Sequence, residues 1–224
     1  MTKWWMGAGV VVLIAVVAFN VLAEGAAGTV HGQVKVTVKG ALKPDASGLI
    51  LYLVGFSEPA ASAVPELEQR DKAFRPVVVP VTVGQTVSFP NHDALFHNVF
   101  SASATRSFDL GQYKKGETKT KVFSSPGVVD VYCNIHPQMA ATIMVLPNRR
   151  WAVTGKDGTF NLTGVPVGKW MLYAYSRYAD KPVKREVTVV AGQTLEFELA
   201  VDEVRTDTPH LNKFGQAYSK DGGY

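Results

Sequence analysis

The feature that most restricts the fold of this chain is the rhythm of its apolar residues after Gly28. They come in short runs, alternating or β-branched: Val30 to Val38, Leu49 to Val54, Val77 to Val83 and Val128 to Tyr132, with turn-forming residues between them. A period of two sends successive side chains to opposite faces, which is the signature of strands. No stretch sustains a helical period, although Ser62 to Arg70 has room for a turn or two of helix before Pro76. The chain therefore reads as all-β. With 46% hydrophobic and 19% charged residues it is neither disordered nor collagen-like. At roughly 150 residues per domain, its 224 residues allow one large domain or two small ones.

The amino terminus reads as an address. Lys3 precedes an apolar run from Trp4 to Ala18, and Asn20-Val21-Leu22-Ala23 offers the small and apolar residues an export peptidase recognises. Residues 1–23 are expected to be a signal peptide cleaved after Ala23; left uncut, Trp4 to Ala23 is long enough to anchor the chain in a bilayer. Either way the folded part is expected outside the cytoplasm, in the periplasm. The formal charge of +4 is dispersed, and its longest basic clusters are the pairs Lys114-Lys115 and Arg149-Arg150. That distribution favours a solvated surface over a nucleic-acid footprint, and no nucleic-acid partner is expected.

The chain has one cysteine, Cys133. A single thiol rules out an internal disulfide, a Cys-x-x-Cys redox pair, a cysteine-rich zinc site and an iron–sulfur cluster. An exported thiol without a partner needs protection from oxidation. Its surroundings supply a reason: Phe96-His97-Asn98-Val99-Phe100 lies upstream, and Cys133-Asn134-Ile135-His136-Pro137-Gln138-Met139 spaces cysteine, histidine and methionine three apart. A thiolate, two imidazoles and a weak thioether are the donor set of a blue-copper electron-transfer site. Three of the donors come from one short loop between strands, and the fourth from a distant strand end, so a rigid sandwich would set the geometry in advance. Met144 competes with Met139 but lies within an apolar strand and reads as core. His92, in a polar turn with Asn91 and Asp93, reads as surface, and His31 and His210 as solvated. The alternative use of Cys133, as a nucleophile activated by a histidine, lacks an orienting acid or an oxyanion feature.

These residues resemble the cupredoxins, the small blue copper proteins, and the short Cys-x-x-His-Pro-x-Met loop is similar to that of amicyanin. Val83-Gly84-Gln85-Thr86-Val87-Ser88-Phe89, Asn91 and Ser125-Pro126-Gly127 fit the same pattern, so the resemblance extends over roughly Phe74 to Pro147. It implies a Greek-key β-sandwich over residues 65–148 holding one copper ion. His97, Cys133 and His136 would be equatorial ligands and Met139 axial, with Asn98 tying the first ligand segment to the cysteine loop. It also implies an electron port at the edge of His136, flanked by Phe96 and Pro137, and a redox partner such as a cytochrome or a dehydrogenase.

A second resemblance lies on either side. Asp157-Gly158-Thr159-Phe160, the turn Gly164-Val165-Pro166-Val167-Gly168 and the strand Lys169 to Tyr175 are similar to the second half of the carboxypeptidase-regulatory-like domain, a small transthyretin-like sandwich. Its first half would be His31 to Val36 and Leu49 to Leu53, far upstream. We therefore expect a discontinuous sandwich, residues 28–56 and 149–201, with the 65–148 sandwich inserted in it. Trp151, Trp170, Tyr173, Tyr175 and Tyr178 are expected to pack as core on one side, and residues 202–224 to form a polar tail. Together the two likenesses resemble a bacterial family of methylamine-utilization or plastocyanin-like proteins.

The function this implies is single-electron transfer without substrate chemistry. A copper oxidase or nitrite reductase would need further histidine-rich copper sites, and the five histidines include no His-x-His pair. The alternative is a copper-binding, copper-delivery or cell-envelope interaction module that carries no electrons.

Overall fold

A computed structural model describes residues 26–204 and 210–218. The expected leader or anchor, residues 1–23, lies outside them. β1 (Ala27–Val38), β2 (Ala41–Leu42) and β3 (Ile50–Val54) come first. The middle of the chain supplies β4 (Glu68–Arg70), β5 (Ala73–Arg75), β6 (Val78–Thr82), β7 (Gln85–Pro90), β8 (His97–Ser103), β9 (Arg106–Tyr113), β10 (Thr118–Phe123), β11 (Gly127–Tyr132) and β12 (Ala140–Leu146). β13 (Trp151–Val153), β14 (Thr159–Pro166), β15 (Gly168–Tyr175), β16 (Val183–Val189) and β17 (Thr194–Glu203) follow. The fold is all-β, and no described residue is helical. The helical turn allowed for Ser62 to Arg70 does not form. Pro65 opposes it, and Leu67 and Gln69 are buried with a period of two, which commits this stretch to the β4–β5 hairpin beside β7.

The central strands form a sandwich. One sheet runs in the order β6-β12-β11-β8-β9, with β6 parallel to β12, and the β7–β10 pair packs opposite it. Val87, Phe89 and Phe123 from the pair meet Val129, Val131, Ala141, Ile143 and Val145 from the sheet in one apolar core, which also contains Cys133 and Met139.

The amino-terminal strands pair across this block with the carboxy-terminal ones. β1 lies between β14, antiparallel, and β17, parallel, while β3 lies between β13 and β15, with β16 at the far side of β15. The two sheets close on a second core that includes Val34, Val36, Leu51, Leu53, Phe160, Leu162, Leu172, Val187 and Val201. The Asp157-Gly158-Thr159-Phe160 segment owes its residue types to this packing. Gly158 has φ +78°, and a side chain there would begin 2.1 Å from the Val34 carbonyl oxygen. Asp157 accepts the amide and hydroxyl hydrogens of Thr159, and Phe160 drops into the core.

The sandwiches meet through strands buried on both faces. Along β12, Ala141, Ile143 and Val145 face the core of Cys133, whereas Met144 and Leu146 face Ile50, with Tyr52, Val78, Trp151 and Tyr175 around them. β15 likewise sends Leu172 and Ala174 inward, with Trp170 packed against the same core, and Tyr173 and Tyr175 to the other side, where Tyr173 stacks on Tyr52. Met144 is thus a core residue of this contact.

Candidate metal centre

His97 opens β8, Cys133 follows the last residue of β11, and His136 lies in the loop that leads to β12. β8 and β11 are neighbours through the Tyr132–Phe100 pair, which sets the two segments side by side. The loop is tight because the Met139 amide donates to the His136 carbonyl at 3.0 Å and the Cys133 amide to the Met139 carbonyl at 3.1 Å.

The result is a triangle of donor atoms. His97 Nδ1 and His136 Nδ1 are 3.1 Å apart, and Cys133 Sγ is 3.9 Å and 3.8 Å from them. The rings meet edge-on at an interplanar angle of 65°. His97 and Cys133 are fully buried and His136 is half-buried. A point equidistant from the three atoms lies roughly 2 Å from each, the length of a metal–imidazole bond and close to that of a metal–thiolate bond. The two Nδ1 atoms stand at hydrogen-bond distance, so a shared proton or a cation between them relieves the repulsion of facing lone pairs. Among the described residues these three form the one cluster of metal-type side chains brought together. Met139 is fully buried in the same core as Cys133.

The surrounding residues orient the triangle. Asn91, fully buried, donates to the Leu95 and Tyr113 carbonyls and accepts the Asp93 amide hydrogen, so it fixes the turn ahead of His97. Asp93 accepts from the Asp71 and Lys72 amides and, at 2.7 Å, from His97 Nε2. A proton held on Nε2 by that carboxylate leaves the Nδ1 lone pair for the centre. Asn98 Oδ1 accepts the Asn134 amide hydrogen at 3.3 Å, and its Nδ2 donates to Asp109 at 2.6 Å.

Electrostatics follow from these contacts. Burial pushes the Cys133 thiol up, but His97 and the backbone amides of Asn98, Ile135 and His136 outweigh it and hold the thiol below its ordinary value. Burial pulls His97 down, and Cys133 and Asp93 more than reverse that, leaving it above the usual imidazole range. Burial and the neighbouring His97 charge hold His136 below it. The site thus favours the thiolate.

His92 is exposed, 3.4 Å from Glu68, and His31 pairs with Glu196 at the surface. His210 departs from expectation. Instead of lying free in water it stacks on Tyr132, with ring centroids 3.9 Å apart, because the chain from 210 to 218 returns to the cysteine loop. Asp93, Asp109, Asn134, Lys213 and Tyr218 all touch the ligand segments without having been legible as site residues. The available signal for Asp93 was its carboxylate four residues before His97. Phe96, next to His97, is 56% exposed; Leu95 is also exposed, as is Pro137, next to His136.

No protein-family model matches the chain, and no curated protein matches it. Solved structures do. A purple cupredoxin from Nitrosopumilus maritimus is 22% identical with a TM-score of 0.34, covering 37% of this chain and 99% of that one. A reduced amicyanin variant is 22% identical with a TM-score of 0.36, covering 43% of this chain and 98% of that one. A copper-containing nitrite reductase from Thermus scotoductus is 25% identical with a TM-score of 0.36; the match covers 42% of this chain and 25% of that one.

Proposed function

We propose that this chain is an electron carrier of the blue-copper type, holding one copper ion between His97, Cys133 and His136 with Met139 as a weak axial ligand. The observation that carries this reading is the triangle of two Nδ1 atoms and one Sγ, with edges of 3.1, 3.8 and 3.9 Å. When bound, copper supplies one-electron chemistry between Cu(II) and Cu(I). The chain's part is to hold the donors still. Asp93 fixes the His97 ring, backbone amides keep the Cys133 thiolate, and Asn98 ties the two ligand segments together. A centre set in advance needs little rearrangement when an electron arrives or leaves.

In this reading His136 is the electron port. It is the half-buried member of the set, and exposed Phe96 and Pro137 give a redox protein, such as a cytochrome or a dehydrogenase, a small apolar surface suited to brief encounters. Residues 1–23 would export the chain to the periplasm or anchor it there. Residues 28–56 and 149–201 would form the carboxypeptidase-regulatory-like sandwich that carries the 65–148 sandwich.

The test is an optical spectrum of the purified protein with Cu(II), followed by a redox titration. An intense thiolate-to-copper band and a reversible one-electron wave are expected, and Cys133→Ser should abolish the band. A colourless Cu(II) complex, or a band that survives Cys133→Ser, overturns the ligand assignment. Transfer of the ion itself to an acceptor protein, without a reversible wave, would mark a delivery module instead.

A further inference from the structure

We propose that the carboxy-terminal segment, residues 210–218, is a working part of the metal centre, in which Lys213 and Tyr218 are positioning residues that clamp the cysteine loop. The proposal rests on reading His97, Cys133 and His136 as metal ligands, but the contacts behind it are independent of any ion. The Tyr218 hydroxyl donates to the Cys133 carbonyl at 2.8 Å. The Lys213 amide donates to Asn134 Oδ1 at 2.9 Å. His210 stacks on Tyr132, the residue before the ligand thiol, and its Nδ1 lies 3.3 Å from the Tyr218 hydroxyl.

These contacts close a circuit. Lys213 Nζ donates to Asp109 Oδ2 at 2.8 Å, Asn98 Nδ2 donates to Asp109 Oδ1 at 2.6 Å, the Asn134 amide donates to Asn98 Oδ1 at 3.3 Å, and Asn134 Oδ1 receives the Lys213 amide. One side of the circuit is the neighbour of His97 and another the neighbour of Cys133, so the tail joins the two ligand-bearing segments as well as covering one of them. The Cys133–Met139 loop has two backbone bonds of its own, both at its closing end. Its outer edge is gripped by β8 through Asn98 on one side and by the tail on the other. Two of the circuit's links end on the Asp109 carboxylate, and bonds to an ionised partner are stronger than neutral ones. Without the tail, the Cys133 carbonyl and Asn134 Oδ1 lose these two bonds, and within the circuit the Asn98 link is left to tie the loop to β8, which loosens the arrangement that places Sγ and His136 Nδ1 3.8 Å apart.

Amide hydrogen exchange in the metal-free, full-length protein tests this directly. Tyr218→Phe and Lys213→Ala should each speed exchange at Asn134 and Ile135 roughly fivefold, as expected for losing one hydrogen bond. Lys213→Arg should restore the rate, and the amides that pair β1 with β14 should exchange unchanged in every variant. With Cu(II), Tyr218→Phe should keep the thiolate-to-copper band but move its energy. Loop exchange equal to that of the unaltered protein in both Tyr218→Phe and Lys213→Ala overturns the clamp, whatever the spectrum. A missing band in the unaltered protein overturns the copper reading instead, and leaves the exchange rates to decide the clamp.

Discussion

Asp93 turns His97 from a buried imidazole into an oriented one, because its carboxylate is held by two backbone amides before it receives Nε2–H. Losing such an orienting partner costs ~10–100-fold in metal affinity. Asp93→Ala is therefore expected to weaken Cu(II) binding by about that factor, measured by competition titration; unchanged affinity would show that His97 is oriented by packing alone. The candidate donors His97, Cys133 and His136 were legible in the sequence because donor chemistry is local: a lone cysteine with one histidine three residues on and another upstream leaves few other uses for the set. Asp93, Asp109 and Asn134 were not. Each is an ordinary polar residue whose importance comes from what a turn or a neighbouring strand brings to it, and only Asp93, four residues before His97, leaves a trace in the spacing.

At the scale of elements, the strands were legible wherever one face is wet or a short run is uniformly apolar. β12 reads as a continuous apolar run because both its faces are covered, and β1 reads as an alternation. The tail was not legible, since its docking depends on Asn134 Oδ1 and the Cys133 carbonyl, 79 and 85 residues away in the sequence from the groups that bond them. Its fit to the cysteine loop carries a pH dependence through His210. Burial first, and then the charge of Arg177, favour the neutral ring, while the Leu211 and Pro137 carbonyls oppose them; the net effect holds His210 below 6.5. Tyr132 and the Tyr218 hydroxyl face the same ring. The undocked tail therefore binds a proton more readily than the docked one. The contribution of His210 to docking is full above pH 6.5 and is lost as pH falls through the depressed value. Ring-proton resonances should give a His210 midpoint below 6.5, and protease cleavage after Lys213 should quicken between pH 7 and 5. A midpoint at or above 6.5 contradicts the docked, desolvated ring.

The whole molecule is two apolar cores separated by a shared wall. β12 presents Ile143 and Val145 to the core of the candidate metal centre and Met144 and Leu146 to the flanking sandwich, so one strand takes part in both. Arg177, from the segment between β15 and β16, adds polar links across the wall to Thr142 and Asp130. A wall of this kind should make the sandwiches unfold together, because neither can expose its side of β12 without wetting apolar surface on the other. Met144 is the place to separate them, being 2% exposed and turned away from the donor triangle. Met144→Ala should cost about 2–4 kcal/mol through the cavity it leaves. Met144→Asp should go further and split urea unfolding of the metal-free protein into two transitions, since an unpaired carboxylate opposes the contact itself. The probes are separable. Trp151 and Trp170 lie in the flanking sandwich, and the reactivity of Cys133 reports the central one. In the unaltered protein the two signals should move at one urea concentration; in Met144→Asp they should part, while the thiolate-to-copper band of the folded, loaded variant stays in place because Met144 lies on the far face of β12. Coincident transitions at the unaltered midpoint in Met144→Asp would show that the wall carries no coupling between the two halves.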